Sequence, residues 1–266
     1  MTNIIEHREP IIYSWDIENL YAKARIWRSG QQYVTTEQIF EHSTMLCASY
    51  KRLGEDKIHT ISIGDNKRRF ERNPRDDKHL VTKLHGILSE ADLLIHHNGD
   101  SFDLPIFKTR ALIHGLPPLP PIKTVDTLKV ARKEFGFDSN KLGELAKRLG
   151  IPLKADIGIA VWEAIDAGDI KAMRKMERYN VQDVVVQEAV YKKLLPSITN
   201  HPNMALLTGA TVPVCPNCGS IHIQKRGSKR YHATTLSYQQ YSCMTCGSWS
   251  RGSKSIKGLS IEDRIQ

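Results

Sequence analysis

The sequence has 266 residues, 40% of them hydrophobic and 25% charged, an ordinary make-up for a folded globular chain. No residue type or period dominates, which excludes collagen-like, coiled-coil and wholly disordered architectures. Lys+Arg 38 against Asp+Glu 29 gives a formal net charge of +9, an excess that favours phosphate-rich or anionic-membrane partners.

In chain order, the start MTNIIEHREP has no apolar signal core, so a cytoplasmic protein is expected. Pro10 to Trp15 is short, apolar and β-branched, and it runs into Asp16-Ile-Glu-Asn as a first strand. Met45 to Lys51 and Lys57 to Ile63 are further strand candidates joined by a turn-like Leu-Gly-Glu-Asp. Leu80, Val81, Leu84, Ile87 and Leu88 recur at helical spacing within 76–89. A short strand over 92–96 passes through a polar turn into a helix over about 103–114, and a Pro-rich loop leads to a strand over 122–125. The rest of this half reads mostly as helix, ending in a long one over about 170–195, near 40 Å in length. No apolar run approaches the roughly 18 residues of a membrane span, so no membrane role is expected.

After Pro196 the texture changes. Asn200-His-Pro-Asn and Thr208-Gly-Ala-Thr read as a linker, and the remainder is rich in Gly, Ser and Tyr. Residues 205–266 hold eight basic and two acidic side chains, so they supply +6 of the net charge. They also hold two C-x2-C pairs, Cys215/Cys218 and Cys243/Cys246, each followed by a glycine suited to a tight knuckle. This spacing favours one structural Zn²⁺; two disulfides are the competing reading, and His222 or His232 in place of a cysteine a lesser one. The expected organisation is an α/β domain with mixed strand pairing over 1–204 and a small β-rich four-cysteine module over 205–266.

Three acidic motifs stand in order along the first domain. Asp16 and Glu18, two apart on a strand, point the same way and form a costly like-charge pair unless a cation joins them. His97-Asn98-Gly-Asp-Ser-Phe102-Asp103 sits where a strand turns into a helix. Tyr179 and Asp183 are four apart on one helical face. Singly, each has a plain structural explanation, such as a helix cap for Asp103. Together they place four carboxylates where an α/β fold gathers ligands for hard cations.

In these motifs the chain resembles the tyrosine-containing (DEDDy) branch of the DEDD 3′–5′ exonucleases, which have a ribonuclease H-like fold. The similarity is to the proofreading domains of family B DNA polymerases and to stand-alone phage and bacterial relatives, and it covers about residues 8–196. Asp16 and Glu18 match the first motif, Asn98, Phe102 and Asp103 the second, and Tyr179 and Asp183 the third. The resemblance implies a metal-dependent 3′–5′ exonuclease, with DNA favoured over RNA, that hydrolyses phosphodiesters with two Mg²⁺ or Mn²⁺ ions. It implies that Asp16 bridges the ions, that Glu18 and Asp183 complete one site and Asp103 serves the other, and that Tyr179 orients the attacking water. Asn98 either shapes its turn or touches the nucleotide, and Phe102 either wedges against the terminal base or fills the core. A partner in replication or repair is a further expectation.

Asp100 and Asp126 are read as structural, and Cys47 as a buried small hydrophobe. Tyr231, Tyr238, Tyr241 and Trp249, interleaved with Lys225, Arg226, Lys229, Arg230 and Arg251, either bind nucleic acid or pack the module. The alternative function is a non-catalytic nucleic-acid-binding or regulatory protein with a silent nuclease-like domain. P-loop, dinucleotide-binding, G-x-S-x-G and H-E-x-x-H signatures are absent from the sequence.

Overall fold

A computed structural model describes residues 9–28, 30, 33–152, 157–233 and 236–256. The strands are β1 (Ile12–Leu20), β2 (Lys23–Ala24), β3 (Ile39–Glu41), β4 (Thr44–Arg52), β5 (Ile58–Ser62), β6 (Leu93–His96) and β7 (Lys123–Asp126), then β8 (Ile223–His232), β9 (Ser237–Cys243) and β10 (Trp249–Ser255). The helices are α1 (Lys67–Arg72), α2 (Lys78–Ser89), α3 (Asp103–Ile113), α4 (Thr127–Glu134), α5 (Leu142–Arg148), α6 (Ala160–Asp166), α7 (Ile170–Leu194) and α8 (Met204–Leu207).

Five strands form one sheet in the order β5-β4-β1-β6-β7. β1, β4 and β5 pair antiparallel, whereas β1, β6 and β7 pair parallel, so the α/β fold with mixed pairing is the one observed. The first strand runs further than its apolar start suggests. Its pairing with β4 extends from Tyr13 to Leu20, with a bulge between Glu18 and Asn19. Asp16 and Glu18 therefore lie within a nine-residue central strand rather than at its end.

The two sides of β1 meet different partners. Trp15 is fully buried and meets Phe107 of α3 edge-on, with centroids 6.4 Å apart. On the alternate side, Ser14 and Asp16 meet α7, whose amide side chains reach both of them. α7 passes through two apolar clusters. Met173 and Met176 join the one built on β1, β4 and α2, while Val186, Val190, Tyr191 and Leu194 join the one around β6, β7 and α5. At β4, Lys51 pairs with the buried Glu188 of α7 at 2.7 Å. Asp77, before α2, is fully buried and binds Arg110 of α3, His114 just after that helix and the Met45 amide of β4.

Strands β8, β9 and β10 form a separate three-stranded antiparallel sheet in the order β10-β9-β8. The segment expected as a linker is better ordered than that reading implies. It contains α8 and buries His201 and Met204, because Tyr191 Oη bonds His201 Nε2 at 2.9 Å and Met204 N–H donates to Pro216 O. Lys257 and Arg264 of the basic tail lie outside the described residues. No helix among the described residues is long and apolar enough to cross a membrane.

Candidate active site

The carboxylates of Asp16, Glu18 and Asp183 each offer an oxygen within 4.8 Å of the others, and all three residues are partly accessible. Period-two alternation on β1 supplies the first two, and α7 crossing that face supplies the third. Asp103 lies outside this tight group. It is the first residue of α3, nearly fully buried, and its Oδ1 accepts from Ile17 N–H at 3.1 Å. That bond ties the start of α3 to the strand between the first two acids.

Crowding of like charge dominates the electrostatics. Burial, then repulsion from Asp103, Glu18 and Asp183, pushes Asp16 well above the usual carboxylate range, opposed by the hydrogen bond from Asn180. Burial, then Asp183 and Asp103, raises Glu18 to about 8. Burial raises Asp103 to about 6 despite the Ile17 N–H. Such a set is unstable when fully ionised, and hard dications that prefer oxygen ligands are what it fits.

Two side chains that the motif reading did not include hold this arrangement. Asn180 is fully buried and donates from Nδ2 to Asp16 Oδ2 at 2.7 Å. Gln187, two turns further along α7, donates from Nε2 to Ser14 Oγ, Trp15 O and Ile95 O at 2.9–3.2 Å. The signal was present in the sequence. The core-facing stripe of α7 runs Met173, Met176, Asn180, Val184, Gln187, Tyr191 and Leu194, so two amides occupy positions where apolar residues belong.

The second motif turns on Asn98 and Gly99. Asn98 adopts φ 65°, and its carbonyl accepts from Ser101 N–H and Phe102 N–H, while its own N–H donates to Asp126. These backbone bonds fit the turn-shaping reading of Asn98. Gly99 presses on His96, where an added Cβ would collide with the ring. Phe102 is 48% exposed, which removes the core-filling reading and leaves its ring open beside the N-terminus of α3.

His96, Asp100 and Asp126 also converge closely. Each of the three also has partners within the fold. Trp15 Nε1–H donates to His96 Nδ1, so His96 Nε2–H donates to Asp100, which also binds Lys129. Asp126 accepts from the amides of Asn98, Asp100 and Leu128. Cys47 is fully buried opposite Glu18 on β4, and burial followed by repulsion from Glu18 pushes its thiol well above the usual range.

The four remaining cysteines form a second convergence, with every Sγ within 4.8 Å of the others. Cys215–Cys246 and Cys218–Cys243 are 3.7 and 3.6 Å apart and all four are free, whereas a disulfide needs about 2.05 Å. The two-disulfide reading is thus overturned. Bonds of about 2.3 Å to one tetrahedral ion place sulfurs about 3.8 Å apart, which this set nearly matches. The two knuckles repeat one geometry. Gly219 N–H donates to Cys215 O and Cys215 N–H to Ser220 O; Gly247 N–H donates to Cys243 O and Cys243 N–H to Ser248 O. Gly219 and Gly247 adopt φ 75° and 81°, which a side chain would strain. His222 and His232 are outside this group.

A mixed five-stranded sheet with acids on its central strand, crossed by a long helix that adds another acid, defines a ribonuclease H-like protein with a candidate metal site. A family model of the RNase H superfamily matches residues 16–195, and the chain belongs to that superfamily. The chain is 26% identical over 156 residues to the PolC-type DNA polymerase III of Ureaplasma parvum serovar 3, a match covering 54% of this chain and 11% of that protein. It also resembles the structure of the family B DNA polymerase from the archaeon Pyrobaculum calidifontis, with a TM-score of 0.53 and 15% identity over 88% of this chain and 33% of that one. The chain thus spans only a minor part of either polymerase, and the structural likeness speaks for the fold.

Proposed function

We propose that the protein is a metal-dependent 3′–5′ exonuclease that hydrolyses the terminal phosphodiester of DNA. The observation that carries this reading is the meeting of Asp16, Glu18 and Asp183 from β1 and α7, with Asp103 beside them at the head of α3. DNA is favoured as substrate because the relative that is 26% identical over 156 residues is a DNA polymerase by name. Two Mg²⁺ or Mn²⁺ ions bound there would supply an activated water and steady the leaving 3′ oxygen.

The chain's own groups do the rest. Asp16, held by Asn180, would hold these ions together with Glu18 and Asp183, and Asp103 would contribute from the head of α3. Tyr179, one turn before Asp183 on α7, orients the attacking water with its phenol. Asn98 sets the turn that presents Phe102 to the terminal nucleotide. The four cysteines would hold one structural Zn²⁺ in a module of residues 205–266 that adds nucleic-acid contact to the exonuclease domain of residues 1–204.

The test is digestion of end-labelled DNA and RNA with Mg²⁺ or Mn²⁺, comparing wild type with Asp16→Asn. Wild type is expected to shorten DNA from the 3′ end, and Asp16→Asn to lose about a hundredfold or more in rate. Equal rates for the two proteins would overturn the site. Binding of DNA without degradation by wild type would favour the silent-domain alternative.

A further inference from the structure

One face of the β8–β10 sheet carries an exposed ladder of rings and guanidinium groups. Tyr231 lies opposite Tyr238, Arg251 opposite Gln240, and both Trp249 and Gln224 lie opposite Ser242. Facing residues share a side of the sheet, and every second residue along a strand returns to it. Tyr231, Tyr238, Trp249, Arg251 and Arg226 therefore stand together. Their contacts agree with that register. The Arg251 guanidinium sits 4.1 Å from the Tyr238 ring centroid and 5.4 Å from that of Tyr231, and Arg226 sits 5.1 Å from Trp249.

Tyr231 and Trp249 do not serve the packing of the module, and Tyr238 between them is partly exposed. Tyr231 is 47% exposed and Trp249 52% exposed. Residues 223–255 contain six Lys or Arg and no Asp or Glu, so the sheet calls for a polyanion. An acidic protein surface would answer the charge but offers nothing to lie flat on exposed rings. A duplex answers the charge but hides its base faces. A single strand of nucleic acid supplies both phosphates and open π-faces.

We infer that this face binds single-stranded DNA, with Trp249, Tyr231 and Tyr238 stacking on unpaired bases and Arg226 and Arg251 meeting phosphates. Tyr238 and Ser242 are four residues apart on β9, so the two ring platforms are about 14 Å apart along the strand. They grip two separate points of the DNA strand whose 3′ end is hydrolysed at the acidic site. The inference rests on the exonuclease reading for the choice of DNA as the polymer.

The test uses the full-length protein and two measurements. Binding of fluorescein-labelled (dT)20 is read by anisotropy without added Mg²⁺ or Mn²⁺. Hydrolysis of a dinucleotide, too short to span the sheet and the acidic site, is read with Mn²⁺. Trp249→Ala and Tyr238→Ala are each expected to weaken (dT)20 binding at least about fivefold and to leave dinucleotide hydrolysis within about twofold. Trp249→Phe keeps a ring and is expected to bind within about threefold of wild type. Arg226→Gln combined with Arg251→Gln is expected to lower the slope of log affinity on log salt by about 1.4.

Unchanged (dT)20 affinity in the ring and arginine variants at full zinc content would overturn the inference. So would equal binding of a duplex, or tighter binding of (rU)20. If (dT)20 binding depends on the rings but wild type hydrolyses no DNA with any divalent metal, the exonuclease reading fails and the binding face stands.

Discussion

Asn180 gives Asp16 one hydrogen bond, while three neighbouring carboxylates repel it. The imbalance has a pH signature. An acid whose folded pKa is raised binds its proton more tightly in the folded state, so folding loses stability as pH rises above the ordinary carboxylate range. With Glu18 at about 8 and Asp103 at about 6, the thermal midpoint of metal-free protein should fall between about pH 5 and 8. Mn²⁺ should raise the midpoint most at the alkaline end, because it binds the ionised acids. Asp16→Asn should raise the metal-free midpoint at pH 8, by about 2–4 °C per kcal/mol of repulsion relieved, and abolish the Mn²⁺ response. Thermal scans across pH, with and without Mn²⁺, check both. A flat profile would show that the acids are not crowded.

At the scale of elements, α7 and β1 are held in register by Gln187. Its amide reaches two strands that carry different motifs, through Trp15 O on β1 and Ile95 O on β6. Gln187→Leu fills similar space but withdraws every donor, so a loss of about 1–3 kcal/mol is expected in urea unfolding, with the slope unchanged. The strands and long helices were legible in the sequence, because a short continuous run of small and apolar residues marks β4 and a 3.6-residue apolar period marks α2. The two-strand pairing of β2 with β3 was not, and neither were α1 and α6. They are short, and their place depends on tertiary partners such as Arg75, which bridges Asp166 at the end of α6 to the carbonyls of Tyr21 and His42. The same holds for the site. Spacing pointed to Asp16 and Glu18 on one side of a strand, but the Asn180 bond joins residues 164 positions apart, which no local pattern encodes.

At the scale of the molecule, the four-cysteine knuckles rest on the end of α7 rather than hanging from it. Asn217, between Cys215 and Cys218, donates to Leu195 O and Ile198 O, which flank the short turn that follows α7. Cys218 and Cys246 pack against the apolar cluster that holds Val190 and Leu194. Cys215→Ser with Cys218→Ser should therefore lower zinc content from one ion per chain to none and reduce the thermal midpoint of the whole protein. Elemental analysis and calorimetry check this. A separate, unshifted transition for residues 9–200 would show that the two parts are energetically independent. The docking was hidden from sequence because its contacts involve Asn217, His201 and Met204, residues whose polarity or turn-like setting reads locally as linker.

The pleat of β1 carries one more implication. Asp16 and Glu18 meet across a single intervening residue, Ile17, whose side chain belongs to the apolar cluster of the core. Lengthening the strand by one amino acid between them would turn one carboxylate into packed hydrocarbon and bring an aliphatic group out in its place. Parity of position is thus a stricter requirement here than the identity of either acid: a Glu for Asp exchange keeps the charge on the correct side, whereas a lone inserted alanine cannot.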